Sequence, residues 1–250
     1  MIRTENRNLL LHSYLAAVSD ALSHRRELRI PRLNLVIAGM CSLILAYLTL
    51  AVLIRIPTGM LEFHFVNERG AVTALSAILL AMAAALSLAS AFLARTQSRS
   101  HVILWVLFSS GFLFLSLDEL LQFHERVGYW LDDRVALPAF RGWNDLVVIA
   151  YGMVALPVAA CMLPKILSYP RLAEMLATAF AFYVFHTVID TLQEPPTSAS
   201  IILEESAKVL CAGFLVLTAF TGLARLAGSV ESATQSTSTN PKTSDQRLAG

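Results

Sequence analysis

Gly70-Ala-Val-Thr-Ala-Leu-Ser-Ala-Ile-Leu-Leu-Ala-Met-Ala-Ala-Ala-Leu-Ser-Leu-Ala-Ser-Ala-Phe-Leu-Ala94 runs without a single charge. A helix rises about 1.5 Å per residue and the hydrocarbon core of a bilayer is about 30 Å thick, so this run is long enough to cross it. Five more stretches share that character: Leu33–Ile54, Val102–Phe123, Leu146–Leu163, Leu172–Ile189 and Ile201–Leu223. Leu172–Ile189 is the least apolar of them, with Glu174 near its start and His186 and then Asp190 at its end. The expected fold is therefore all-α, an integral membrane bundle of six transmembrane helices. Composition agrees: the 250-residue chain is 56% hydrophobic and only 15% charged, where soluble domains run near 25% charged. An ordinary soluble enzyme is excluded. The partner implied is the lipid bilayer, and nothing points to nucleic acid.

Arginine and lysine positions orient the bundle. The segment before the first span holds Arg3, Arg7, Arg25, Arg26, Arg29 and Arg32; the second and fourth loops hold Arg95, Arg99, Lys165 and Arg171, and Arg225 follows the last span. Positive charge marks the cytoplasmic side, so both termini are expected in the cytoplasm of a multi-pass protein of the bacterial cytoplasmic (inner) membrane. The outer side then holds six basic residues against twelve acids, and the remainder thirteen basic against six acidic. A total of +1 conceals this separation.

Three segments follow. Residues 1–32 are expected to form a cytoplasmic amphipathic segment, in which Leu9, Leu10, Leu11, Tyr14, Leu15, Val18 and Leu22 recur at helical spacing. That helix suits either the membrane surface or packing against the inner ends of the spans. No cleavable signal peptide is visible, because residues 1–30 are too polar. Residues 33–225 are the membrane domain. Residues 226–250, rich in Ser, Thr, Asn and Gln, are expected to be a disordered cytoplasmic tail. Cys41, Cys161 and Cys211 all lie in apolar spans and suit small buried hydrophobes rather than disulfides. The outer loops, 55–69 and 124–145, are rich in aromatic residues, Tyr129, Trp130 and Trp143 among them, and are expected to fold back as a lid.

Chemistry concentrates beneath that lid. Glu68, Asp145, Glu204 and Glu205 fall in or just before the first turns of returning helices, where acids are stabilised by roughly 0.3–1 kcal/mol and Asn67, Asn144 and Ser200 would cap. Lys208 lies one turn beyond Glu204, an ordinary stabilising pair. The outgoing helices differ. In Leu117-Asp118-Glu119-Leu120-Leu121-Gln122-Phe123-His124-Glu125 the acids close a helix whose dipole opposes them. Asp118, Gln122 and Glu125 would share a face, with Glu119 turned toward Arg126. His186, Asp190 and Glu194 repeat the theme one helix pair later.

Acids placed this way need cations, supplied by Lys208, Arg69 and Arg126 or by a divalent metal. Carboxylates and imidazoles on facing helices suit zinc, iron or manganese. The expected ligands are Asp118, Glu119, His124, His186, Asp190 and Glu204, with Glu125 and Glu205 as catalytic proton-transfer groups. Asp118, His186, Asp190 and Glu204 or Glu205 are expected to converge between the third, fifth and sixth spans. His64 suits an interfacial loop position, while His12, His24 and His101 have no acidic company and are set aside.

Glu68-Arg69-Gly70-Ala71-Val72, Leu117-Asp118-Glu119 with His124-Glu125, and Leu203-Glu204-Glu205 with Lys208 resemble a group of bacterial polytopic membrane proteins. That resemblance implies the membrane core and carries no activity with it. The chain is also distantly similar to alkaline ceramidase-like membrane hydrolases, which hold zinc between helices with His and Asp. It differs in having six expected spans rather than seven and in lacking a late His-x-x-x-His. The function expected first is a metal-dependent enzyme acting on a lipid or other hydrophobic small molecule at the outer leaflet. Alternatives are a transporter or ion-coupled carrier, and a non-catalytic membrane complex subunit or assembly factor.

Overall fold

The computed structural model describes residues 2–24, 32–58, 65, 70–135, 143–169, 171–192 and 197–238. All its elements are helices: α1 (Ile2–His24), α2 (Leu33–Thr58), α3 (Ala71–Ala94), α4 (Arg99–Leu121), α5 (Phe123–Asp132), α6 (Trp143–Leu167), α7 (Leu172–Leu192) and α8 (Ser198–Ser238). Six of them, α2, α3, α4, α6, α7 and α8, are long and apolar enough to cross a membrane. The six expected spans fall on these six helices.

The charge-free stretch α3 sits at the centre, between α4 and α8. In the most apolar windows of the spans, 50% of α3 and 61% of α8 are buried, against 0% of α6, so α6 lies at the periphery. The reason is side-chain size. Ser76, Ala77, Ala83, Ala84, Ser87, Ser90, Ala91 and Ala94 line the buried side of α3 and let neighbouring backbones approach. Lipid is as apolar as leucine, so spans are held by close packing and interhelical hydrogen bonds. Two such bonds fasten α4 to α3: Ser116 donates to the Ala77 carbonyl at 2.9 Å and Ser109 to the Ala84 carbonyl at 3.0 Å.

Two local features depart from the expected pattern. The third span stops at Leu121 instead of Phe123, because Gln122 adopts a left-handed conformation (φ 57°, ψ 44°) and α5 starts immediately after it. A helix thus occupies the first part of the expected 124–145 lid, seated where Gly128 meets the start of α6; a Cβ there would lie 2.6 Å from the Asn144 nitrogen. At the other end of the chain, α8 continues as helix to Ser238, into the tail expected to be disordered. Extending a formed helix costs far less than starting one, and the buried part of α8 supplies the start. Residues 239–250, the loop residues 59–64, 66–69 and 136–142, and with them His64, Asn67, Glu68 and Arg69, lie outside the described residues, as does Glu194.

Candidate functional site

Gln122 decides the geometry of the acid-rich end. Its left-handed turn breaks the expected face shared by Asp118, Gln122 and Glu125, and folds His124 back onto α4. The Asp118 carboxylate then accepts three hydrogen bonds: the His124 backbone N–H at 2.9 Å, the His124 Nδ1 at 2.8 Å and the Tyr151 hydroxyl of α6 at 3.3 Å. This removes the apparent dipole conflict. Asp118 closes α4, but its side chain caps the first turn of α5, where N–H groups and the positive dipole end favour a carboxylate. Asp118 is buried at 6% exposure, and both its oxygens accept hydrogen bonds.

A carboxylate only accepts, so the proton between Asp118 and His124 sits on Nδ1. The other ring nitrogen, Nε2, lies 4.0 Å from Glu125 Oε1, and the imidazole side chain is 22% exposed. Burial opposes the charged imidazole. The hydrogen bond and charge of Asp118, with Glu125 and Glu119 behind them, outweigh burial and hold His124 above the ordinary value of 6.5.

Glu119 turns the other way round α4, toward α8 and not toward Arg126. Lys208 Nζ bridges Glu119 Oε1 at 3.0 Å and Glu205 Oε2 at 2.9 Å. The lysine pair within α8 is therefore Glu205–Lys208 rather than the expected Glu204–Lys208, with Glu119 added across α3. The start of α8 also differs from the expected one. Thr197, not Ser200, is the cap: the Ser200 N–H donates to Thr197 Oγ1 at 3.2 Å and the Thr197 N–H to Ser200 Oγ at 2.9 Å. That reciprocal box leaves no acid in the first turn of α8. Glu204 and Glu205 fall one turn deeper, beyond the strongest part of the dipole. Electrostatic coupling links Lys208 to His186 and Glu205 to Asp190, so the acid-rich ends of α7 and α8 share one charged neighbourhood.

The expected single centre is thus two neighbouring groups, whose α4 members Asp118 and Glu119 lie about 100° apart round the helix. Asp118 joins His124 and Tyr151, while Glu119 joins Lys208 and Glu205, near His186 and Asp190. Among the described residues, no group of three or more His, Cys, Asp and Glu is placed to hold a metal ion. Of the ligand set expected from the sequence, Asp118 and His124 come together, while Glu119 meets Glu205 through Lys208 between them. Glu205, expected as a proton-transfer group, is engaged by Lys208. Of the two expected catalytic acids, only Glu125 lies beside an ionisable partner able to exchange protons with an incoming molecule.

Sequence reasoning missed Tyr151, which reaches Asp118 from a span chosen only for its hydropathy. It also missed a polar knot at the opposite end. There Tyr169 accepts from Trp105 Nε1 at 2.9 Å and lies 2.8 Å from His101 Nδ1. Burial pushes the Tyr169 hydroxyl up to about 12, although the Trp105 hydrogen bond and Arg225 act against it. It therefore stays protonated and has one proton to give to His101. Trp105 is fully buried, and a Cβ on Gly222 of α8 would overlap its ring.

A family model described as domain of unknown function, DUF8692, matches residues 36–223. The chain belongs to the DUF8692 family. The matched region opens in α2 and closes in α8, taking in all six apolar helices and both charged sites. No curated protein matches it, and no solved structure does.

Proposed function

We propose that this DUF8692 member is a membrane enzyme that uses His124 as general acid and base on an amphiphile entering sideways at the acid-rich end. The observation that carries this is the Asp118–His124 pair. One imidazole nitrogen is fixed by a buried carboxylate, and the other is turned to a partly open position beside a second acid. That is the arrangement in which a histidine exchanges protons, with the carboxylate setting the tautomer and steadying the charged ring. The surroundings suit a lipid: Leu117, Leu120, Leu121, Phe123 and Val127 are all exposed around the α4–α5 turn. An acyl chain would lie against them while its polar linkage reaches His124 Nε2. His124 then takes a proton from water as it attacks that linkage and returns it to the leaving group, and Glu125 relays protons to the surface. On the arginine asymmetry, this end faces outward from a bacterial inner membrane. Glu119–Lys208–Glu205 favours a different role for its half of the rim, cohesion between α4 and α8.

The test is turnover in lipid. Wild type, His124→Gln and Asp118→Asn would each be reconstituted in nanodiscs made from native lipid extract. Lipid species would be followed by mass spectrometry, with helix content checked by circular dichroism. Wild type should consume at least one species, and His124→Gln should be slower by roughly 10²-fold or more with its helices intact. Equal rates in the two proteins, or no species consumed by wild type, would refute the proposal.

A further inference from the structure

The N-terminal helix α1 is absorbed neither by the catalytic proposal nor by the packing of the six spans. It touches α6, near the end of the bundle opposite His124. Its anchor is specific. Tyr14 donates its hydroxyl proton to the Ala160 carbonyl at 2.6 Å. In a regular helix that carbonyl would accept from the N–H four residues on, but the residue there is Pro164, which has none. Tyr14 therefore satisfies an acceptor that α6 leaves open, and α1 is seated at a chosen point rather than resting on a smooth apolar surface.

Seated this way, α1 presents two adjacent apolar stripes. Tyr14, Val18 and Ala21 are partly buried. Leu11, Leu15 and Leu22 lie about a fifth of a turn round the helix, at about 100° per residue, and remain 57%, 53% and 47% exposed. Ser13, Ala16 and Asp20 occupy the side away from that stripe and are exposed. The second stripe borders α6, whose own outward side chains Met153, Val154, Leu156 and Val158 are exposed as on a lipid-facing span. The same end of the bundle is cationic. Arg32, Arg95, Arg99, Lys165, Arg171 and Arg225 stand there against Asp20 and Glu174, with Glu5 in the sequence of α1 and Glu231 in that of α8.

We propose that the Leu11–Leu15–Leu22 stripe of α1 docks onto anionic phospholipid of the leaflet opposite His124. The leucines enter the acyl-chain boundary and the surrounding cations meet the headgroup phosphates. An apolar stripe bordered by cations is the combination that anionic lipid recognises, and each part contributes separately. This proposal stands apart from the catalytic one.

Full-length protein with Cys41, Cys161 and Cys211 changed to alanine would carry a single bimane-labelled cysteine, as Leu15→Cys or as Ser13→Cys on the opposite side of α1. Each would be reconstituted in vesicles of phosphatidylcholine alone or phosphatidylcholine with phosphatidylglycerol, with brominated acyl chains as quencher. Leu15→Cys should be quenched several-fold more than Ser13→Cys. Phosphatidylglycerol should widen the gap, and high salt should narrow it again. Equal quenching at the two positions would overturn the proposal. So would a gap indifferent to phosphatidylglycerol, or a Leu15→Cys label shielded from lipid by a second copy of the chain.

Discussion

Gln122 is one residue with a left-handed backbone, and it converts an apparent fault into a site. With Gln122 helical, Asp118 would end a long helix against its dipole; with Gln122 reversed, Asp118 caps the next helix and holds His124. The composition of Leu117–Glu125 was legible as chemistry. The turn was not, since glutamine has no marked preference for φ > 0 and the apolar pattern runs on through Phe123. Tyr151 and Tyr169 were equally hidden, because one tyrosine in an apolar run looks the same whether or not its hydroxyl has a partner. The glycines on this structure are sharper. Gly222 sits under the Trp105 ring, whereas nothing lies within 4 Å of a Cβ built on Gly111. Gly222→Ala should cost about 1–3 kcal/mol by overpacking, seen as a lower melting temperature in detergent. Gly111→Ala should be tolerated, and equal melting temperatures for the two variants would show that Trp105 is not packed this way.

Between elements, the spans were readable from length and hydropathy alone, while the partners of their ends were not. That α3 is the central helix follows from its alanines and serines once they are seen as a packing surface, although its uniform apolarity gives no face away. The acids of α8 illustrate the limit. The cap is Thr197 rather than Ser200, and Lys208 pairs with Glu205 rather than Glu204 while also reaching Glu119 on another helix. Lys208 now holds two carboxylates from different helices. Lys208→Met should leave both unpaired and cost roughly 3–5 kcal/mol, measured by thermal unfolding in detergent. An unchanged melting temperature would mean that the bundle does not depend on this bridge. Lys208→Arg should recover much of the loss.

For the molecule as a whole, the two ends differ in kind: one is rich in acids and carries a half-open histidine, the other is cationic and carries α1. That polarity was visible in the charge distribution. The division of the acid-rich end into a proton-exchanging pair and a cohesive ion bridge was not, because neighbouring residues Asp118 and Glu119 look alike in sequence and part by about 100° round α4. The account depends on Asp118 holding His124 above its ordinary 6.5. The sign follows from that. Stability from this pair is fully present below about 6.5 and is lost as pH rises through the raised folded value. The direct measurement is the His124 titration followed by nuclear magnetic resonance of histidine-labelled protein in nanodiscs, with Asp118→Asn alongside. A midpoint above 6.5 in wild type that drops below it in Asp118→Asn, where burial acts with less to oppose it, is the result expected. A wild-type midpoint at or below 6.5, or one that Asp118→Asn leaves in place, would contradict it.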